Sequence, residues 1–560
     1  MARVTGSHLI CEALKLEGVK NVFALAGDHI LPLLDVMADQ DFRIIDTRHE
    51  QAAVHMADAW SRITEQPGVC MYTTPGFANA IPGLTNAMHT EAPVISIAGS
   101  ADMHDLGRGA QQEIEQVAMA APVTKASLMV SDVKRIPEFI ARAMRLAFSG
   151  RRGPVHLTIP IDVQERGVER EEVAFTAPDA YRAKTAILAD PAGVRQAIAI
   201  LREAKKPLLI AGSAAGYTLS GNALQRFVET TRLPVLTEEQ SRGLIPDDHP
   251  YAFGFFERGL NRAAAKVRDA DVVVLLGRKQ DFTIGFCRPP NVAGDARLIQ
   301  IDPSPAEIGR NRGVAVGLVG DVPSILDQMT KEASSHAWKE LPWLDELRAA
   351  RSEQAVWAED LARSTMPMHA LFVHKTLKSL LRPDDCLVFD GGDFCHFGRL
   401  FLPALKPKRW LYVSSLGMLG SSLPSALAAK LAYPDSRVFM LTGDGAFGFN
   451  GMEFDTAVRH KLNIVAFLGN DAAWGIDRQI QLGLYGRPVA TELLQARYDQ
   501  VVVGLGGYGQ FVENPEDLEP ALQRALAAGR PALLNVAVQR AISPRAEAAI
   551  GRRKAAAAAK

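Results

Sequence analysis

Cysteine is scarce in this chain: five among 560 residues (Cys11, Cys70, Cys287, Cys386 and Cys395), and no two are spaced as a CxxC pair. That argues against a disulfide framework or a thiolate metal site and suits a reducing, cytoplasmic compartment. Charge of one sign is also lacking, since 62 Lys and Arg stand against 63 Asp and Glu for a formal net charge of −1. Nothing in that balance calls for nucleic acid or a membrane surface as partner. Apolar runs stop short of the ~18–20 residues that span a bilayer. The opening Met1-Ala2-Arg3-Val4-Thr5-Gly6 has no apolar secretory stretch. What is left is 48% apolar and 22% charged, an ordinary globular composition spread over a chain too long for one core.

What the chain does have is alternation. Short β-branched runs take turns with helix-length amphipathic stretches, which predicts α/β units with parallel sheets. Strands are expected at Asn21–Leu25, Arg43–Thr47, Val69–Thr73, Val94–Ala98 and Val155–Ile159, then at Pro207–Ala211, Asp271–Leu276 and Arg297–Ile301. A third group is expected at Cys386–Asp390, Leu411–Ser414, Arg437–Thr442, Asn463–Leu468 and Ala532–Val538. The charged, Pro- and Ala-rich stretch from Glu165 to Pro191 reads as a linker, and Lys331 to Arg363 as two Trp-bearing helical segments. The fold class is therefore α/β: three Rossmann-like domains over residues 1–165, 190–332 and 365–540, followed by a basic tail, 541–560. From Arg540 onward the tail sets Arg540, Arg545, Arg552, Arg553, Lys554 and Lys560 against the single acid Glu547. It reads as a frayed solvated helix or as a cationic lid over a phosphorylated substrate.

Two segments carry chemistry. Gly443-Asp444-Gly445-Ala446 follows an apolar strand and precedes a helical pattern starting near Gly451. Its glycines admit a ligand close to the backbone, and Asp444 offers a hard oxygen to a divalent cation. Alone the tripeptide is a common turn. However, 24 residues (446 to 469) separate Gly445 from Asn470-Asp471, which ends another apolar strand. Parallel strands would bring both polar tips to one edge, where ligands bind in such sheets. Arg48-His49-Glu50 is the second segment. On its own Glu50 reads as a first-turn helix acid, favourable toward the dipole.

Together these segments resemble the thiamine diphosphate (ThDP) enzymes, whose metal-diphosphate motif is GDG, about 24–27 residues, then Asn-Asn. The text Ile44–Glu50, Glu113–Lys125 and Gly451–Arg459 looks like benzaldehyde lyase, the 2-hydroxyacyl-CoA lyases and the acetolactate synthases, a likeness that runs to about Val538. The resemblance implies a pyrimidine-binding, a middle and a diphosphate-binding domain, with the cofactor held between two subunits of a homodimer at least, and of a homotetramer. It implies that Glu50 bonds the aminopyrimidine ring and activates it. Registered on Trp474, it makes Asp471 the metal ligand where the group has Asn, with Ala473 giving a backbone carbonyl; Asn470 takes that place if the register slips by one. Mg²⁺ is the implied ion.

The same resemblance makes His29 and Gln111 active-site residues, while Gln112 matches the group's Phe-Gln-Glu glutamine. It places Gly76 and Asn79 at the pyrimidine side, Gly391, Gly392, Gly443, Gly445 and Ala446 at the diphosphate, and Gly417, Leu419 and Trp474 against the cofactor. Glu492, read as part of a short helical stretch after Pro488, falls where acyl-CoA lyases keep a glutamate that exchanges a proton with the substrate's 2-hydroxyl. With Arg540, Arg545, Arg552, Arg553 and Lys554 as candidate contacts for coenzyme A, the expected reaction is cleavage of a 2-hydroxyacyl-CoA to formyl-CoA and an aldehyde or ketone. The alternatives are a benzaldehyde-lyase-like carboligase, an acetolactate synthase, an oxalyl-CoA decarboxylase and a non-catalytic ThDP-fold subunit.

Overall fold

The computed structural model describes residues 3–182, 186–217 and 222–558. Ala559 and Lys560, the last of the basic tail, and residues 183–185 within the expected linker lie outside the described residues. The chain divides into two compact units. The first comprises Met1–Thr185, Ser414–Pro434 and Asn450–Leu462, and the second Ala186–Val413, Asp435–Phe449 and Asn463–Lys560.

The first unit contains β1 (Arg3–Thr5), β2 (Asn21–Ala24), β3 (Arg43–Asp46), β4 (Gly68–Tyr72), β5 (Val94–Ser100), β6 (Ala126–Met129), β7 (Val155–Pro160) and β8 (Gly167–Glu169). Six of them form a parallel sheet in the order β3-β2-β4-β5-β7-β6. β1 and β8 make a separate antiparallel pair, so the start of the expected linker is a strand instead.

The helix Glu50–Thr64 begins where His49 turns extended and its Nδ1 accepts the Gln51 N–H at 3.1 Å. It packs against the helix Thr74–Thr90, an Ala-rich contact pinned by buried Asp58. That carboxylate accepts from Asn86 Nδ2 at 2.8 Å and Thr90 Oγ1 at 2.9 Å. A third helix, Ser422–Ala432, lies on Glu50–Thr64, with Ser414 Oγ donating to Asn86 Oδ1 at 3.0 Å. The helix meets its sheet with no room to spare, because a Cβ on Gly68 would stand 2.0 Å from the Ala57 carbonyl oxygen.

The second unit holds two more parallel sheets. β9 (Pro207–Ala211), β10 (Val235–Thr237), β11 (Ala252–Phe255), β12 (Val272–Leu276), β13 (Arg297–Asp302) and β14 (Val316–Val319) run in the order β11-β10-β9-β12-β13-β14. β15 (Cys386–Phe389), β16 (Trp410–Tyr412), β17 (Val438–Gly443), β18 (Val465–Asn470), β19 (Tyr508–Val512) and β20 (Ala532–Ala537) run β16-β15-β17-β18-β20-β19. Central strands such as β12 and β20 are buried along their whole length, as strands covered on both faces must be. Each large apolar side chain so buried contributes ~1.5–3 kcal/mol.

The stretch after Lys331 holds one long helix, Trp343–Leu361, that carries both Trp343 and Trp357, while Trp338 precedes it outside any helix. All five cysteines are buried and free. Among the described residues no helix is long and apolar enough to cross a membrane.

Because Gly68 seats the helix that begins with Glu50, Gly68→Ala should cost about 1–3 kcal/mol through overpacking. Chemical denaturation would read this as an earlier unfolding midpoint, and an unchanged midpoint would contradict the close approach.

Candidate active site

In the first unit, Glu50 is buried at the start of its helix with Oε2 accepting from Asn79 Nδ2 at 3.1 Å. Gly76 lies directly beside it, where a Cβ would come within 2.6 Å of Glu50 Oε1, so only glycine leaves that oxygen in place. The turn carrying Glu50 is fastened by Glu453, a residue that sequence reasoning passed over. Its Oε1 accepts the backbone N–H of Arg48 and of His49, each at 3.0 Å, and its Oε2 accepts Thr456 Oγ1 at 2.6 Å. Burial pushes the Glu453 carboxyl upward against those bonds.

His29 sits in a short 3₁₀ turn, Asp28–Ile30, and is buried, with Nδ1 2.9 Å from Thr74 Oγ1. Burial lowers its pKa, which favours the neutral imidazole. Gln111 and Gln112 lie exposed on a turn closed by Glu113, whose carboxylate accepts the N–H groups of Gly107, Gly109 and Ala110. Gly417 takes a left-handed φ of 75° that suits glycine, and Leu419 beside it is only half-buried.

The second unit brings Asp444 and Asp471 to the ends of adjacent strands, β17 and β18. The helix after β17 starts at Asp444 itself, earlier than expected, and runs to Asn450. Asp444 Oδ1 accepts Gly445 N at 2.9 Å and Oδ2 accepts Ala473 N at 3.2 Å, which ties the two strand ends together. Burial pushes the Asp444 carboxyl up to about 6. Burial and then the charge of Asp444 push Asp471 up to about 7.

A third acid, Asp393, buried at the start of the helix Asp393–Phe401, is raised by burial to about 6 and leaves Oδ2 without a partner. Burial raises all three, Asp471 also feels the charges of Asp444 and Asp393, and acids so gathered are a donor set suited to a divalent cation. Asn470, the alternative to Asp471, is already committed. It donates to Ala496 O and Asn535 Oδ1 and accepts from Ala472 N.

Room for a ligand adjoins these acids. Gly392 has φ 92°, and a Cβ on Gly392 or Gly443 would meet nothing within 4 Å. Gly391 N donates to Asp390 Oδ1 at 2.8 Å. Ala446 is buried, and the Trp474 ring covers Gly445 so closely that a Cβ there would come within 2.8 Å of it.

Glu492 is not helical. It is extended, bridged to Ala473 in antiparallel fashion, with its carboxylate half exposed between Arg478 Nε at 2.7 Å and Arg540 NH2 at 2.8 Å. The Arg478 hydrogen bond, joined by Arg540, holds its pKa below the usual carboxylate range. Arg540 also donates to the backbone carbonyls of Asp471 and Ala472. Arg545 meets Glu257 at 3.7 Å and His396 at 3.4 Å. These two candidate cations are therefore engaged within the protein. Arg552, Arg553 and Lys554 are exposed along the tail helix Pro544–Ala558, which packs on the helix Gly475–Tyr485 through Ile550 and Gly483.

Comparison with known proteins places this geometry. Residues 4–119 match the thiamine pyrophosphate enzyme N-terminal TPP binding domain, residues 194–329 the central domain, and residues 390–536 the C-terminal TPP binding domain. The chain is 34% identical over 541 residues to the acetolactate synthase large subunit IlvG of Mycobacterium tuberculosis, covering 94% of this chain and 95% of that one. It is 31% identical over 544 residues to oxalyl-CoA decarboxylase of Escherichia coli, covering 95% and 94%. Against 2-hydroxyacyl-CoA lyase 1 of Homo sapiens it is 30% identical over 556 residues, covering 96% and 95%. With its carboxylate pair, its glycine-lined approach and three matched domains, the chain belongs to the thiamine diphosphate-dependent enzymes.

Proposed function

We propose that the protein is a carbon–carbon lyase that cleaves 2-hydroxyacyl-CoA to formyl-CoA and an aldehyde or ketone. The observation that carries this reading is the tail helix Pro544–Ala558. It presents Arg552, Arg553 and Lys554 while resting on the helix that leaves Trp474 beside the acidic cradle. A cationic surface there suits the phosphates of coenzyme A, and two of the relatives are named for acyl-CoA substrates.

Thiamine diphosphate, when bound, supplies the electron sink that lets a bond beside a carbonyl break. In this reading Asp444, Asp471 and the Ala473 carbonyl would hold Mg²⁺, and Gly392 and Gly443 would leave room for the diphosphate, with Gly391 and Gly445 beside them in the same two loops. Glu50 keeps Oε1 for the pyrimidine nitrogen and shares a proton there, with Asn79 orienting the other oxygen. Glu492, kept ionised by its two arginines, takes the proton of the substrate 2-hydroxyl, and His29 lies against the substrate. A homodimer would let Glu50 of one copy serve cofactor bound by another.

Substrate choice tests the reading directly. With ThDP and Mg²⁺, 2-hydroxyisobutyryl-CoA or mandelyl-CoA should yield formyl-CoA, whereas cleavage of benzoin alone would favour a carboligase. Replacing Arg552, Arg553 and Lys554 together by Ala should raise KM for acyl-CoA about tenfold, a loss of ~1.4 kcal/mol, with cofactor affinity unchanged. Glu50→Gln should lower kcat by about 10²-fold or more in a protein with an unaltered circular dichroism spectrum.

The cradle also sets a pH dependence. Asp444 and Asp471 have raised folded-state values, so protons favour the metal-free folded protein at low pH, and that advantage fades as pH rises through about 6 and 7. Mg²⁺ competes with those protons. The gain in melting temperature on adding Mg²⁺ and ThDP should therefore grow between pH 5.5 and 8, and Asp471→Asn should flatten that growth.

A further inference from the structure

We infer that Thr74 is a positioning residue that fixes His29 as the Nδ1-protonated tautomer, its hydroxyl turned away to Gly99 O within a chain of buried hydrogen bonds that runs through Gln116 back to Tyr72. The inference rests on the reading of His29 as a residue that meets substrate. Gln116 opens the short helix Gln116–Ala120 and is buried, as are Thr74, Thr158, His156, Ser96 and Tyr72.

The direction of every proton follows from one carbonyl. Gly99 O can only accept, and Gln116 Nε2 lies 2.9 Å from it. Were that amide turned over, two oxygens would face each other, so the nitrogen is where it is placed. Gln116 Nε2 also donates to Thr74 Oγ1 at 3.0 Å. Its Oε1 then accepts the hydroxyl of Thr158 at 3.0 Å.

With its one proton spent, Thr158 must accept, and its partner is His156 Nε2 at 3.0 Å. Buried His156 is neutral, its pKa pushed down by burial to about 3, so its Nδ1 is bare and accepts Ser96 Oγ at 2.9 Å. Ser96 in turn accepts the Tyr72 hydroxyl.

At the other end, the Thr74 hydroxyl donates to Gly99 O at 3.0 Å. Turned toward His29 instead, it would leave those two oxygens in contact with no proton between them. Thr74 therefore accepts from His29, which puts the proton on Nδ1, 2.9 Å away; Thr73 Oγ1, at 3.3 Å from that nitrogen, is the longer contact and accepts the His29 backbone N–H. The backbone of His29 is held too, its carbonyl accepting Gln164 Nε2 at 2.8 Å. Nε2 is the bare nitrogen, so His29 can meet the substrate only as an acceptor and not as donor to a carbonyl.

The test uses holoenzyme loaded with ThDP and Mg²⁺ and labelled with ¹⁵N-histidine, His29 being assigned by the signal lost in His29→Ala. Solid-state spectra should show a protonated Nδ1 and a bare Nε2 for His29. The isosteric Thr74→Val should mix the two tautomers and lower kcat on 2-hydroxyisobutyryl-CoA about tenfold at unchanged KM, and Thr74→Ser should restore both. A protonated Nε2 in the unaltered enzyme overturns the inference whether or not a variant folds. So does a tautomer unmoved by Thr74→Val. If the tautomer is as assigned but His29→Ala keeps full kcat, the reading of His29 at the substrate fails instead.

Discussion

Asp444 and Asp471 stand at the ends of neighbouring parallel strands, and two carboxylates so placed out of bulk water resist being ionised together. Much of the surrounding structure answers that repulsion. Ala473 gives its N–H to Asp444, and Arg540 grips the carbonyls of Asp471 and Ala472 from the far side. Arg540 then shares Glu492 with Arg478, so fixed charge continues outward from the cradle to the half-exposed carboxylate. The protein's own cations hold the loop's shape and offset the acids only in part, Arg540 drawing Asp471 downward against burial, which leaves negative charge for a divalent ion to meet.

The first unit solves a different problem with different means. Its acids, Glu50 and Glu453, are met by neutral donors: an asparagine amide, a threonine hydroxyl and backbone N–H groups. The bonds around His29 are likewise made between uncharged side chains in the interior of its sheet. Neutral donors fix orientation and tautomer without setting a strong local field, where a nearby guanidinium would hold a carboxylate permanently ionised.

The central strands were legible because apolar β-branched runs such as Val272–Leu276 can be little else. Shorter strands at or next to the sheet edges were not: Val235–Thr237, Val316–Val319 and Ala126–Met129 are too brief to show a period, and pairing decides them. Gly443–Gly445 and Glu50 stood out because spacing and flanking text agreed. Glu492 was misread as helical since Thr491–Leu494 has no breaker, yet its bridge to Ala473 holds it extended. Glu453 and Gln116 lie inside stretches that resemble the family, yet nothing local sets either apart. Their importance lies in partners far off in sequence, Arg48 and Thr158 among them, which no window of residues brings together.

The first unit is built from three separated stretches of chain, the last of them ending at Leu462. The helix Ser422–Ala432 that covers Glu50–Thr64 comes from the second stretch, and Glu453 from the third. On the ribosome, where N-terminal segments emerge first, residues 1–185 would wait with an uncovered apolar helix and an unfastened turn until residue 462 has emerged. The nascent chain is thus exposed to chaperones and to premature association for most of its synthesis. Its N-terminal third is a poor candidate for expression as an independent fragment.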